Sequence, residues 1–193
     1  MNPLALDRLV TEVRQCTACD LVHGANPVLQ AHTAAQILVV GQAPGSKVHK
    51  TGVPFDDPSG ARLREWMGLT SDEFYDERLV AILPMAFCYP GKGKSGDLPP
   101  RPLCAELWRK QLLARLTHVK LTVVIGQYAK AWHLPESKLN ITDSAKAWAS
   151  FPDSIMVIPH PSPRNNIWLK RNPWYETEVV PELRSRVDTT LGR

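Results

Sequence analysis

The sequence predicts an α/β fold: a single domain over residues 1–193, built as a three-layer sandwich with a mostly parallel four-stranded central sheet and helices on both faces. Three observations predict it. Short apolar runs recur at residues 37–40, 79–83, 121–125 and 155–158, the length expected of strands buried on both sides. Segments of helical periodicity stand between them, the alternation that builds parallel sheets. A chain of 193 residues can bury one sizeable core but is cramped for two.

The elements follow in order. Leu4, Leu6, Leu9, Val10 and Val13 recur among charges and predict a helix over residues 3–15, followed at once by Cys16-x2-Cys19. Residues 20–35 read as irregular. Ile37 to Val40 is the first strand, and it breaks into a loop of Gly, Pro and basic residues. Ser59 is placed to cap a helix running to about Met67, with Leu63 and Trp66 on one face. Leu79 to Leu83 is the second strand, ending in a long Pro- and Gly-rich loop that reaches Arg101. Leu103 to Leu116 reads as a helix and Leu121 to Ile125 as the third strand, followed by Gly126-Gln127 and a short helix around Tyr128 to Trp132. Ile155 to Ile158 is the fourth strand and ends at His160-Pro161-Ser162-Pro163. From Trp174 the tail is helical in pattern, with Pro181 near a helix start or a kink.

In such sheets ligands bind beyond the carboxyl ends of the strands. Four loops leave those ends: Gly41 to Phe55, Pro84 to Arg101, Gly126-Gln127, and His160 to Trp168. One pocket built from them is the expected site. The 17 prolines stiffen such loops, and stiff loops carry sites.

Composition narrows the classes. A hydrophobic content of 44% with 22% charged residues is ordinary for a globular protein and argues against disorder. No apolar run has the length of a membrane span. The first residues lack the basic and long apolar regions of a signal peptide. The expectation is a cytoplasmic monomer with no membrane partner. A net charge of +4 is compatible with a polyanionic partner without demanding one.

The cysteines leave two readings open. Cys16-x2-Cys19 has chelate spacing, and Cys88 and Cys104 could complete a four-thiol metal site. Equally, a chance pair could accompany two buried thiols. Gly91 to Arg101, with Lys92 and Lys94, lacks the spacing of a nucleotide P-loop and reads better as flexible basic backbone near a phosphate. Asp97 within it is a turn former or a catalytic carboxylate, the turn being favoured.

Several motifs together then carry a resemblance. Gly41-Gln42-Ala43-Pro44-Gly45 follows the first strand, and Gly52-Val53-Pro54-Phe55 follows it at matching distance. Cys16-x2-Cys19 stands before them, and Cys88-x15-Cys104, the segment TVVIGQYAKAW and the run His160-Pro161-Ser162 come after. The chain resembles the uracil-DNA glycosylase superfamily, most closely its iron–sulfur branch, the family-four enzymes, over most of its length.

The resemblance implies hydrolysis of the N-glycosidic bond of uracil or another deaminated base in DNA. It implies single- or double-stranded DNA with a damaged base as partner, and a [4Fe–4S] cluster on Cys16, Cys19, Cys88 and Cys104, with zinc as the alternative. An enzyme acting on a base must extrude it from the duplex into a pocket. In that pocket Phe55 would stack on the base, backbone N–H groups of Gln42 and Ala43 would grip a base oxygen, and His160 would donate to the same oxygen as negative charge develops. Asn165 would read the base edge. Ile167, Trp168 or Leu169 would wedge the duplex, while Arg164, Lys170 and Arg171 would meet phosphates, as would Lys94.

The departures are equally specific. Gln42 stands where the family-four motif has Glu, Val48 and His49 stand at its acidic pair, and Ala43 stands where a related branch has Asp. Pro84 occupies the position of the Asn that reads uracil's edge. His49, Asp56 and Asp57 are the nearest substitutes for the missing acid, and Gln42, Gln127, Asn165 and Asn166 for the missing amide. Two other readings follow: a non-catalytic member that binds damaged or single-stranded DNA, and a metal-stabilised domain for another small ligand.

Overall fold

Four short strands, β1 (Ile37–Val40), β2 (Val80–Ile82), β3 (Leu121–Ile125) and β4 (Ile155–Ile158), form one sheet in the order β2-β1-β3-β4. These come from a computed structural model, which describes the backbone of residues 3–193 and the side chains from Leu6 onward. Every strand pair is parallel, so the expected mostly parallel sheet is wholly parallel. Leu38 pairs with Ala81 on one side and Thr122 on the other. Val124 pairs with Val157.

Successive strand residues point to opposite faces, and each strand divides its apolar side chains between two cores. Ile37, Val39, Val80, Ile82, Val123 and Met156 face one core. Leu38, Val40, Ala81, Val124 and Val157 face the other. That division explains why the strands read as unbroken apolar runs: both faces are covered.

The first core is closed by the helices Pro58–Met67 and Val180–Leu191, which contribute Leu63, Trp66, Met67, Leu183 and Val187. The second is closed by the helix Pro3–Arg14, by a helix spanning residues 102–113, and by the helix Gly126–His133. From the first of these, Leu6, Leu9, Val10 and Val13 are buried, the spacing of one helical face. Leu4 of that predicted stripe lies outside the described side chains. Leu63 is wholly buried, and truncating such a residue to Ala costs about 2–5 kcal/mol. Among the described residues no helix is long and apolar enough to cross a membrane.

Local details correct the sequence reading. The cap of the helix at 58–67 is Asp57, whose side chain accepts from the Gly60 amide, because Pro58 already occupies the first helical turn. Ser59 lies inside that helix and is buried. The helix at 102–113 contains a π turn at Ala105–Arg109, and Pro181 sits at the start of the last helix, after a π turn at Tyr175–Val179. Four short helices were not assigned from the sequence: Ser46–Thr51, Ser71–Tyr75, Ile141–Lys146 and Asn166–Arg171, the first within and the last overlapping an expected loop. The second of them is set by a capping box between Thr70 and Glu73.

Candidate functional site

The loops after β1, β2 and β4 enclose an open cavity of about 650 Å³ at the carboxyl ends of the strands. The sheet order makes this a switch point: the chain leaves β1 toward β2 on one side and β3 toward β4 on the other. The first two loops extend the parallel ladder, since the Met85 amide donates to the Gly41 carbonyl at 2.8 Å and the Ala86 amide to the Gln42 carbonyl at 3.1 Å. Three of the four expected loops contribute. The fourth does not: Gly126 and Gln127 open a helix, and neither lines the cavity.

Phe55 forms one wall of the cavity. Its backbone has φ +54°, a left-handed conformation that is uncommon for a bulky residue and costs of order 1 kcal/mol. Gly60 is what lets this geometry fit, while Gly41 only lies against the ring. A Cβ on Gly60 would collide with the Phe55 carbonyl, and a Cβ on Gly41 would touch the ring at 3.5 Å. Phe74 then packs edge-on against the ring, centroids 6.1 Å apart. The ring is half-buried, anchored on one side and free on the other.

His160 stands on the opposite loop and also lines the cavity. The ring keeps an open face, yet the walls crowd it and hold its pKa below the ordinary imidazole value. Asp57 and Asp97 oppose that effect and Arg164 adds to it. A neutral imidazole at pH 7 keeps one N–H to donate and gains nothing from carrying charge. The loop is pinned at several points. The Asn165 amide donates to the His160 carbonyl at 2.7 Å, Arg62 donates to the Ser162 carbonyl at 3.1 Å, and the Ser162 hydroxyl accepts from the Arg164 amide.

Gln42, Ala43, Asn165 and Arg164 also line the cavity. The Gln42 side chain is committed: its amide donates to the Leu98 carbonyl at 2.9 Å. His49 does not line the cavity. It turns toward His23 and Tyr89, with Nε2 3.1 Å from the His23 carbonyl and a buried Nδ1 that has no partner among the described residues. Its place on the helix Ser46–Thr51 explains this, because Val48 beside it faces the interior and fixes the helix rotation. As a water-activating group, His49 is therefore misplaced.

The segment after His160 forms a helix whose sides differ. Ile167 is 65% exposed, whereas Leu169 is buried. Trp168 turns inward, donates through its indole nitrogen to Thr142 at 2.9 Å and packs on Trp174 and Tyr175. Of the three expected wedge residues, Ile167 is available, whereas Trp168 and Leu169 serve the core. Lys94 is exposed at the tip of the 91–98 hairpin, away from the cavity wall.

Sequence reasoning missed the proper placement of two residues. Asp97 lines the cavity rather than merely forming a turn. Arg109 is wholly buried and donates to the carbonyls of Leu83 at 2.9 Å and Pro84 at 3.2 Å, with His133 Nε2 at 2.9 Å. Burial lowers the Arg109 pKa to about 10, and burial together with Arg109 lowers that of His133 to about 4. The signal for Arg109 was its helical spacing from buried Ala105 and Leu112.

The four cysteines come together elsewhere. Cys16, Cys19, Cys88 and Cys104 line one small apolar cavity of about 20 Å³ with Val13, Phe87 and Trp108. The Trp108 indole donates to the Cys16 sulfur at 3.3 Å. Burial first, with the neighbouring thiols adding to it, pushes Cys88 up to about 11. Among the described residues no three Cys, His, Asp or Glu side chains converge on a single ion position. The donor set nonetheless fits a group in which each metal atom takes one thiolate: four sulfurs, no carboxylate, and crowded thiols that need a cation to ionise together.

Known proteins match this sequence. The family model described as Uracil DNA glycosylase superfamily covers residues 30–184. Over 171 residues the chain is 22% identical to the Type-4 uracil-DNA glycosylase of Saccharolobus solfataricus, spanning 81% of this chain and 76% of that protein. Over 143 residues it is 26% identical to the Type-4 uracil-DNA glycosylase of Thermotoga maritima, spanning 71% and 70%.

Proposed function

Because the chain belongs to the uracil DNA glycosylase superfamily, we propose that it hydrolyses the N-glycosidic bond of uracil or another deaminated base in DNA. The observation that carries this reading is the pairing of Phe55 and His160 across one strand-end cavity. An extruded base lies on the Phe55 face, an aromatic surface that accepts any planar ring. The His160 N–H then donates to the base oxygen where charge gathers as the bond breaks, and a neutral imidazole is the form suited to that task. The backbone of Gln42 and Ala43 and the edge of Asn165 border the same space and supply further polar contacts to the base. Ile167 fills the gap left in the duplex, while Arg164 meets a phosphate, with Lys94 reaching a more distant one.

Cys16, Cys19, Cys88 and Cys104 hold a [4Fe–4S] cluster in this reading, with zinc as the alternative occupant. When bound, that group supplies cross-linking rather than chemistry: it ties the end of the first helix to the loop after β2 and to the start of the helix at 102–113. Iron, sulfide and zinc determinations on protein purified without oxygen separate the two occupants.

The test of the activity uses labelled single- and double-stranded oligonucleotides, each carrying one uracil, hypoxanthine or xanthine, with alkali to reveal abasic sites. Base release that is lost in His160→Ala supports the proposal and names the substrate. Pro84 and the missing first-loop carboxylate favour a second reading, a non-catalytic protein that retains damaged or single-stranded DNA. Tight retention without release of any base would select it.

A further inference from the structure

We propose that Asp97 is the water-activating carboxylate of this cavity, delivered by the loop after β2 in place of an acid in the loop after β1. The inference rests on the glycosylase reading above and assigns the group that reading lacks. Hydrolysis at a sugar carbon gains from a carboxylate that orients water and takes its proton, and neither Gln42 nor Ala43 can act as one.

Three acids lie near enough to compete, and their surroundings separate them. Asp56 pairs with Lys47 at 3.8 Å and does not line the cavity. Asp57 lines it, but its Oδ1 accepts from the Gly60 amide at 2.8 Å as a helix cap. Asp97 lines the cavity and joins none of the ion pairs among the described residues. Its Oδ2 lies 3.8 Å from the point where a Cβ on Gly45 would stand, so the carboxylate reaches across to the first loop. His160 feels its charge from the opposite wall.

The position of Asp97 is built, not incidental. The 91–98 segment closes as a small hairpin through the Lys92–Asp97 bridge, the Gly93 amide on the Gly96 carbonyl at 2.6 Å, and the Leu98 amide on the Gly91 carbonyl at 2.9 Å. Gln42 then draws this hairpin over the cavity by its bond to the Leu98 carbonyl, one residue from Asp97. A Glu at position 42 has no N–H for that carbonyl and would repel it. The amide in the first loop thus serves as the tether that brings in a carboxylate from the second.

In the reaction, the water oxygen bonds to C1′ of the deoxyribose as the C1′–N bond breaks. The glycosidic electron pair leaves with the base, whose anion the His160 N–H stabilises. The water proton passes to the Asp97 carboxylate and from there to the departing base or to solvent. An abasic site and a free base are the products.

Single-turnover base release by wild type, Asp97→Asn, Asp97→Glu and His160→Ala tests this, using the base that wild type excises, with DNA retention and the pH–rate profile measured alongside. Asp97→Asn is expected to slow release at least about a hundredfold and to keep DNA retention within about threefold, with Asp97→Glu recovering part of the rate. Near-wild-type release by Asp97→Asn while His160→Ala is inactive would overturn the assignment and leave the glycosylase reading standing. Loss of rate together with loss of DNA retention would reduce Asp97 to a loop former and also overturn it. No release of any base by wild type would overturn the glycosylase reading itself.

Discussion

The two cavities of this protein are opposites. One is open, about 650 Å³, and walled by an aromatic face, a histidine, two carboxylates and an arginine. The other is about 20 Å³ and lined by apolar side chains and four thiols. Open polar space invites an exchangeable ligand, whereas a closed thiol pocket suits a resident group that is set once. Yet both hang on the loop after β2: Pro84 and Asp97 line the first, and Cys88 lines the second together with Cys104 from the helix that follows. Arg109 adds a second connection, since it shares a helix with Cys104 and Trp108 and donates to the Pro84 carbonyl. The thiol pocket therefore acts as the anchorage of the open one.

That relation can be broken from either side. The largest effect is expected from Cys104→Ala, which should abolish bound metal, lower Tm by about 10 °C or more, and remove base release although no atom of the open cavity has changed. Metal analysis with thermal melting checks it, and a metal-free variant that kept full activity would separate the two cavities. Gly60→Ala should act on the open cavity alone. Displacing the Phe55 carbonyl is expected to cost about 2–4 kcal/mol and to weaken base binding, with metal content unchanged.

Acid should loosen the connection through Arg109. The folded His133 value, about 4, lies below the unfolded one near 6.5. As pH falls through that window the unfolded chain takes up the proton first, so stability drops, by up to about 3 kcal/mol at pH 4 and below. His133→Gln, which keeps an acceptor for Arg109, should flatten this part of the urea-midpoint profile against wild type. The smallest effect is expected at the rim. Ile167→Ala should weaken retention of duplex DNA by about threefold to tenfold, leaving single-strand retention, Tm and metal content as they were.

Much of this architecture was readable in the residues. The strands declared themselves because a sheet covered on both faces needs apolar side chains at every position, as at Ile37 to Val40. The cysteine grouping and the facing pair Phe55 and His160 were readable as motifs. What escaped depended on contacts between distant segments. The rotation of His49 away from the cavity is decided by Val48, His23 and Tyr89. The approach of Asp97 depends on a bond between Gln42 and Leu98, loops far apart in sequence. The inward turn of Trp168 depends on Thr142. Asp57 took the capping role from Ser59 because Pro58, with no amide to satisfy, fits the first turn.

The order of the cysteines along the chain has a consequence for biosynthesis. Nearly half of the polypeptide separates Cys16 from Cys104, and translation proceeds at roughly 5–20 residues per second, so the first pair of thiols waits on the order of 10 s for the last. During that interval Cys16 and Cys19 are a bare dithiol at the end of a helix with no sheet to pack on. Any oxidant or stray metal present then meets them before their partners exist. Guarding a nascent dithiol is thus a demand that this fold places on the cell making it.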